Sequence, residues 1–318
     1  MTMQSFESGR IAVVSGGRST ERERSLMSGR AALESLDRQG YTTMFLDAAD
    51  KGFADEVRGA DVAFLAIAGQ YAEDGKLQGL LELLDIPYTG SGVTASAVGM
   101  HKARAKTVVA AAGVAVLATA TIPARDRDVI TRAITRTIAF PLILKPLSEG
   151  GSIGMTVCHD TAQLAAALRT IDPAEGWFAE PFTTGIPVSC GVLEVDGSPM
   201  ALPPLATIPT DAEFYDYDTK RDKTKYQYQC PANLPSPTLD TITTAALTAH
   251  DALGCTGYSR SDFIVTPDGR PLWLEINTLP GLSHTGNLAT MAAAAGIDYD
   301  QLIRMILATA NTTRGYRP

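Results

Sequence analysis

Residues 258–281 read Tyr-Ser-Arg-Ser-Asp-Phe-Ile-Val, a Thr-Pro-Asp-Gly turn, then Arg-Pro-Leu-Trp-Leu-Glu-Ile-Asn-Thr-Leu-Pro-Gly. Two apolar-rich runs around a Pro/Gly turn predict a β-hairpin. Side chains alternate faces along a strand, so Arg260 and Asp262 share one face of the first strand, and Glu275 and Asn277 share one face of the second. If those faces coincide, four polar groups converge. Two carboxylates and an amide oxygen form a hard-oxygen donor set suited to Mg²⁺, which takes its other ligands from water and substrate phosphates. Arg260 beside them suits a transferring phosphoryl group. Taken alone, the pattern is equally that of a surface hairpin with its polar residues turned outward.

A chain of 318 residues, 45% hydrophobic and 19% charged, can bury a large core and falls among globular α/β proteins of two or three domains. Its net charge of −8 disfavours nucleic acid and anionic membrane as partners, so any phosphate it holds must meet a local cationic site. Cys158, Cys190, Cys230 and Cys255 are scattered without CxxC spacing, which points away from a zinc site or a disulfide framework. Residues 1–10 contain no apolar leader core, and no apolar run reaches the ~18 residues of a membrane span. A cytoplasmic protein is the resulting expectation.

From the start, residues 11–14 are a short apolar run leading through Gly16-Gly17 to a charged helix start at Glu21, with Leu26, Leu33 and Leu36 on one stripe and Gly40 as the stop. A further strand over 42–46 makes this a βαβ unit. The glycine turn is neither G-x-G-x-x-G nor a Walker A motif. Residues 62–67 and the helix 76–84 extend a small parallel sheet with helices on its faces. Helices follow over 93–100 and 102–112, where Lys102 and Lys106 stand one turn apart, a spacing equally fit for a solvated face or a phosphate contact.

The next informative stretch is 140–155, where an apolar strand ends in Lys145 and runs into Glu149-Gly150-Gly151-Ser152-Ile153-Gly154. Glycines admit an anion close to the backbone N–H groups and Lys145 adds a point charge, so phosphate binding is the favoured reading over a plain hairpin. The segment Phe178-Ala179-Glu180-Pro181-Phe182 is a strand that could offer backbone groups and an aromatic edge to an adenine. Residues 213–232 are polar, aromatic and cationic, weakly strand-like at best, and read equally as a lid or a solvated loop. Helices over 238–253 and 298–308 complete the chain.

In order along nearly the whole chain, Gly-Gly-Arg-Ser-Thr-Glu-Arg-Glu near residue 17, Glu-Asp-Gly-Lys-Leu-Gln-Gly-Leu-Leu-Glu near 75, Pro-Tyr-Thr-Gly-Ser-Gly near 90, Leu-Lys-Pro with its glycine loop, Phe-Tyr-Asp-Tyr near 215 and Glu-Ile-Asn-Thr-Leu-Pro-Gly resemble the ATP-grasp ligases, most closely the D-alanine-D-alanine ligases. The resemblance implies a three-part α/β and α+β ATP-grasp fold: an N-terminal parallel α/β domain (1–101) for substrate, a central subdomain (102–187), and a C-terminal metal-binding domain (188–318) with a lid over 209–232. It implies ATP and Mg²⁺ as cofactors, two ions with Mn²⁺ as a substitute, held by Asp262, Glu275 and Asn277. Lys102 and Lys145 would contact phosphates with Gly151, Ser152 and Lys220, and Glu180, Pro181 and Phe182 would meet the adenine. Arg260 and the Gly281 N–H would stabilise an oxyanion, and Glu21 would anchor the first substrate's ammonium group. Small amino acids are the implied substrates and a homodimer the implied assembly.

Five departures from the family pattern bear on the two substrate pockets and on how the nucleotide is held. Gly151 stands for a serine and Arg221 for a tyrosine, so the trio those residues form with Glu21 is missing; Ala68 stands for a histidine. Gly286 and Asn287 stand where a serine and a leucine hold the second carboxylate, and Pro187 stands where an acid meets the ribose. Arg221 in place of a phenol suits a substrate with an extra anionic group. These residues predict an amino-acid ligase with altered substrates. The alternatives are a cell-wall D-alanine-D-alanine ligase and a non-catalytic nucleotide-binding homologue.

Overall fold

Five successive buried residues follow Arg10 in strand β1 (Arg10–Ser15), the pattern of a parallel strand covered on both faces. In the computed structural model, which describes residues 9–122, 127–148, 154–172, 176–209 and 226–310, β1 is the middle of a three-stranded parallel sheet. Its neighbours are β2 (Thr42–Asp47) and β3 (Val62–Leu65). Helix α1 (Arg22–Arg38) crosses from β1 to β2 and stops where Gly40 takes a positive φ of 84°, the left-handed cap that glycine accepts without strain.

The buried face of α1 differs from the expected leucine stripe. It consists of Ser25, Ser28, Gly29, Ala31, Ala32, Ser35 and Leu36, while Leu26 and Leu33 are only half-buried. The cause is close approach to the sheet: a Cβ on Gly29 would lie 2.4 Å from the Ser15 Cβ. Helices α2 (Phe53–Glu56), α3 (Lys76–Leu83) and α4 (Val93–Met100) complete this part.

Helix α5 (Lys102–Ala111) begins at His101, whose Nδ1 accepts the Arg104 N–H at 3.3 Å. Beyond it lies a four-stranded antiparallel sheet in the order β4-β7-β5-β6, made of β4 (Ala120–Ile122), β5 (Leu142–Pro146), β6 (Thr156–Cys158) and β7 (Trp177–Pro181). Helices α6 (Arg127–Thr137) and α7 (Thr161–Thr170) pack on it through Ile134, Leu164 and Leu168.

A six-stranded sheet follows, ordered β11-β10-β8-β12-β13 with β9 paired to β8. Its strands are β8 (Ile186–Val195), β9 (Ser198–Ala201), β10 (Leu205–Pro209), β11 (Tyr226–Gln229), β12 (Tyr258–Val265) and β13 (Pro271–Asn277). Tyr226–Gln229 is thus a paired strand and not loop; the Tyr-Gln-Tyr-Gln alternation carried that signal. Phe263, Trp273 and Ile276 pack against α8 (Ser236–Ala252) and against Ala105 and Val109 of α5. Helices α9 (Asn287–Ala294) and α10 (Tyr299–Ala308) instead join Leu193, Leu202 and Tyr258 to the core of the parallel sheet. Among the described residues, no helix is long and apolar enough to cross a membrane.

Candidate active site

Strands β12 and β13 pair antiparallel with Arg260 opposite Asn277 and Asp262 opposite Glu275. The register shifts between Asp262 and Phe263, which faces Trp273, so Leu274 is the extra residue of a bulge beside the polar cluster. Arg260 forks onto Asp262, donating from Nε to Oδ1 at 2.9 Å and from Nη2 to Oδ2 at 2.8 Å. The Ser189 hydroxyl on β8 donates to Asp262 Oδ1 at 2.7 Å. Lys102 Nζ lies 3.1 Å from Glu275 Oε2. Burial alone would weaken the Arg260 guanidinium as a base; Asp262, with Glu275 and Glu73 further off, outweighs it and raises its pKa above the ordinary value.

The opposite wall comes from the parallel sheet. Glu21 closes the turn ahead of α1, its N–H bonded to Ser19 Oγ at 3.2 Å and its carboxylate 3.8 Å from Arg24. Gly69 sits close by with φ of 82°, where a Cβ would come within 2.6 Å of Ser19 Oγ. Buried Glu73 accepts the Gly69 N–H at 2.8 Å. Burial and the nearby Glu21 push its pKa up to about 8, against the pull of the Gly69 N–H and Arg260.

Gly281 lies in the segment between β13 and α9. The next residue is clamped: the Leu282 N–H donates to Ser28 Oγ at 3.1 Å, and the Tyr299 hydroxyl donates to the Leu282 carbonyl. Gly286 is the N-cap of α9 and Asn287 its first residue; Asn287 Nδ2 reaches Ser189 Oγ at 3.5 Å.

A cleft of about 430 Å³ gathers Glu21, Lys102, Arg260, Asp262, Glu275, Asn277, Gly281, Gly286 and Asn287. Residues from both ends of the sequence thus meet in one place. Lys145 and Glu180 are not in its lining. Glu180 is buried and ion-paired with both Lys145 and Lys106, and those two lysines keep its carboxyl below the ordinary range despite burial. Lys106 is 2% exposed, which removes the solvated-face reading. Pro181 and Phe182 follow Glu180, and the Phe182 N–H is already taken by the Pro141 carbonyl at 2.9 Å. Gly151, Ser152, Lys220 and Arg221 lie outside the described residues.

Among the described residues no three His, Cys, Asp or Glu side chains cluster to hold a metal. The donor set of Asp262, Glu275 and Asn277 nevertheless fits Mg²⁺ bound together with a polyphosphate, since such a site needs only one or two protein carboxylates. Several cleft groups escaped the sequence reading. Ser189 had no local signal, because only the β8–β12 register sets it opposite Asp262. Glu73 was visible only as one acid of a Glu-Asp-Gly turn. Ser28 carried no signal within α1, and Arg24 was legible only as part of a charged helix start.

Comparison with known proteins gives a consistent result. Residues 106–308 match the family model of the D-ala D-ala ligase C-terminus, and residues 47–91 match that of the D-ala D-ala ligase N-terminus. A D-alanine--D-alanine ligase of Nitrosomonas eutropha is 39% identical over 301 residues, covering 94% of this chain and 96% of that protein. The crystal structure of D-alanine--D-alanine ligase from Bacillus anthracis complexed with ATP superposes with a TM-score of 0.82 at 28% identity, covering 95% of this chain and 97% of that one. The VanG D-Ala:D-Ser ligase from Enterococcus faecalis does so with a TM-score of 0.80 at 26% identity, covering 94% and 98%.

Proposed function

Because this chain belongs to the D-alanine–D-alanine ligase family of ATP-grasp, amide-bond-forming enzymes, we propose that it activates one amino-acid carboxylate with ATP and joins it to the amine of a second. The carrying observation is the single cleft that holds Glu21, Lys102, Arg260, Gly281 and the Asp262, Glu275, Asn277 set. A carboxylate is too poor an acyl donor to meet an amine directly, so it is first phosphorylated to an acyl phosphate; amine attack then expels phosphate. Positioning and charge neutralisation carry phosphoryl transfer. Lys102 and Lys145 are assigned to phosphate oxygens, with Gly151, Ser152 and Lys220, and Glu180, Pro181 and Phe182 to the adenine end. Mg²⁺, when held by Asp262, Glu275 and Asn277, would supply charge neutralisation at the β,γ-phosphates. Glu21 receives the first ammonium group. Arg260 and the Gly281 N–H face the charge that develops on the tetrahedral oxygen.

D-Alanine in both positions is the reading that the similarity to the Nitrosomonas enzyme supports. An altered pair is the second reading, favoured by Arg24, Ala68 and Gly286 in the cleft wall, and by Arg221 in the sequence. The same proposal includes a substrate-binding part at 1–101, ATP-binding parts at 102–187 and 188–318 and a homodimer, on family likeness, and a cytoplasmic setting, on the sequence pattern. Phosphate release from Mg-ATP with D-alanine alone, beside a panel of L- and D-amino acids singly and in pairs, separates the readings. Release with D-alanine alone supports the first and release only with another pair the second. Intact ATP throughout overturns the proposal.

A further inference from the structure

Lys106, Lys145 and Glu180 form a buried group of two cations on one anion, and the two cations are not equivalent. Lys106 is 2% exposed and Glu180 1%, whereas the Lys145 side chain keeps 17% of its surface. Lys106 projects from α5, one turn beyond Lys102, and its Nζ also sits 5.7 Å from the Phe178 ring centre. Phe178 is the strand partner of Lys145 on β7, and Glu180 is paired with Ile143 on β5. The Lys106–Glu180 contact therefore ties α5, whose Ala105 and Val109 belong to the core under the six-stranded sheet, to the four-stranded sheet.

A buried carboxylate stripped of its cation is costly, so Glu180 must always keep one. If Lys145 were its only partner, Lys145 would be held where it stands. With Lys106 in place, Lys145 can turn to another anion while Glu180 stays neutralised.

We propose that Lys106 is a positioning residue: it is the standing counter-ion of Glu180, and it frees Lys145 to engage a nucleotide phosphate. This rests on the assignment of Lys145 to phosphate made above. Removal of Lys106 would leave Glu180 to capture Lys145, so the loss should appear in nucleotide affinity and not in the rate of the bound complex. Removing Glu180's charge at the same time should cancel it.

The test measures Mg-ADP affinity by calorimetry, and kcat and KM for ATP, on the full chain and its variants. Lys106→Met is expected to weaken Mg-ADP and raise KM for ATP about tenfold, with kcat changed less than about twofold. Lys106→Arg should stay within about threefold of the parent on both readouts. In a Glu180→Gln background, which also protects the fold by removing both buried charges together, Lys106→Met should shift affinity less than about twofold. Unchanged affinity in Lys106→Met, or an equal loss in the Glu180→Gln background, overturns the inference. Lys145→Met separates the two levels: if it leaves Mg-ADP affinity unchanged, the phosphate assignment itself falls. If it weakens binding and Lys106→Met does not, only the role of Lys106 falls.

Discussion

Lys102 Nζ stands 3.1 Å from Glu275 Oε2 on one wall of the cleft, so a cation assigned to phosphate and a carboxylate assigned to magnesium neutralise each other. Arg260 and Asp262 do the same on the neighbouring strand. Both pairs line the cleft with side chains 16–27% exposed, so each charge can exchange its partner for a metal-bound polyphosphate without being left unpaired. Lys102→Met should lower the melting temperature by less than about 4 °C while weakening Mg-ATP binding several-fold. A large drop in melting temperature would show the pair to be structural.

Glu275→Gln removes one charge from the proposed metal set with almost no change in volume. Phosphate release should fall by at least about a hundredfold, with the far-UV circular dichroism and the melting temperature close to the parent's. A near-native rate would sink the metal assignment.

Glu73 gives a pH signature. Its carboxyl titrates at about 8 in the fold against an ordinary value of 4.5, so the folded state holds the proton more tightly than the unfolded chain. The stability linked to this group is full below pH 4.5 and is lost as pH rises towards 8, at up to about 1.4 kcal/mol per unit. Melting temperature should therefore decline across that window in the parent and decline less in Glu73→Gln, which is neutral throughout. Parallel profiles would mean that Glu73 is ionised in the folded protein.

Ser28→Ala takes away the acceptor of the Leu282 N–H, a buried donor whose loss of partner costs about 1–3 kcal/mol. Since Leu282 adjoins Gly281, the expected kinetic result is a fall in kcat greater than the change in KM for ATP, and Ser28→Thr should recover part of it. An unchanged kcat would detach the clamp from the chemistry.

The hairpin could be read from the chain because everything it needs is local: a period of two, a Pro/Gly turn, and polar residues at alternate positions on either side. The parallel βαβ opening was legible for the same reason. What escaped depended on partners far away in sequence. Lys106 reads equally as a solvated or a phosphate-facing helix lysine until Glu180, 74 residues on, is placed against it. Ser189 gains its meaning only from the strand pairing that puts Asp262 opposite. The face of α1 was misjudged because hydrophobic periodicity marks apolar side chains, while the actual contact is set by how near Ser15 comes to Gly29.

That close approach has a reach beyond the core. Gly29 lies eight residues, roughly two helical turns, beyond Glu21, and the space between helix and strand is too small for one methyl group, which would meet Ser15 at 2.4 Å. A Gly29→Ala helix must lift or tilt, and the carboxylate at its head would shift relative to Arg260 with it. A residue with no side chain thereby acts as the spacer that gauges the width of the cleft.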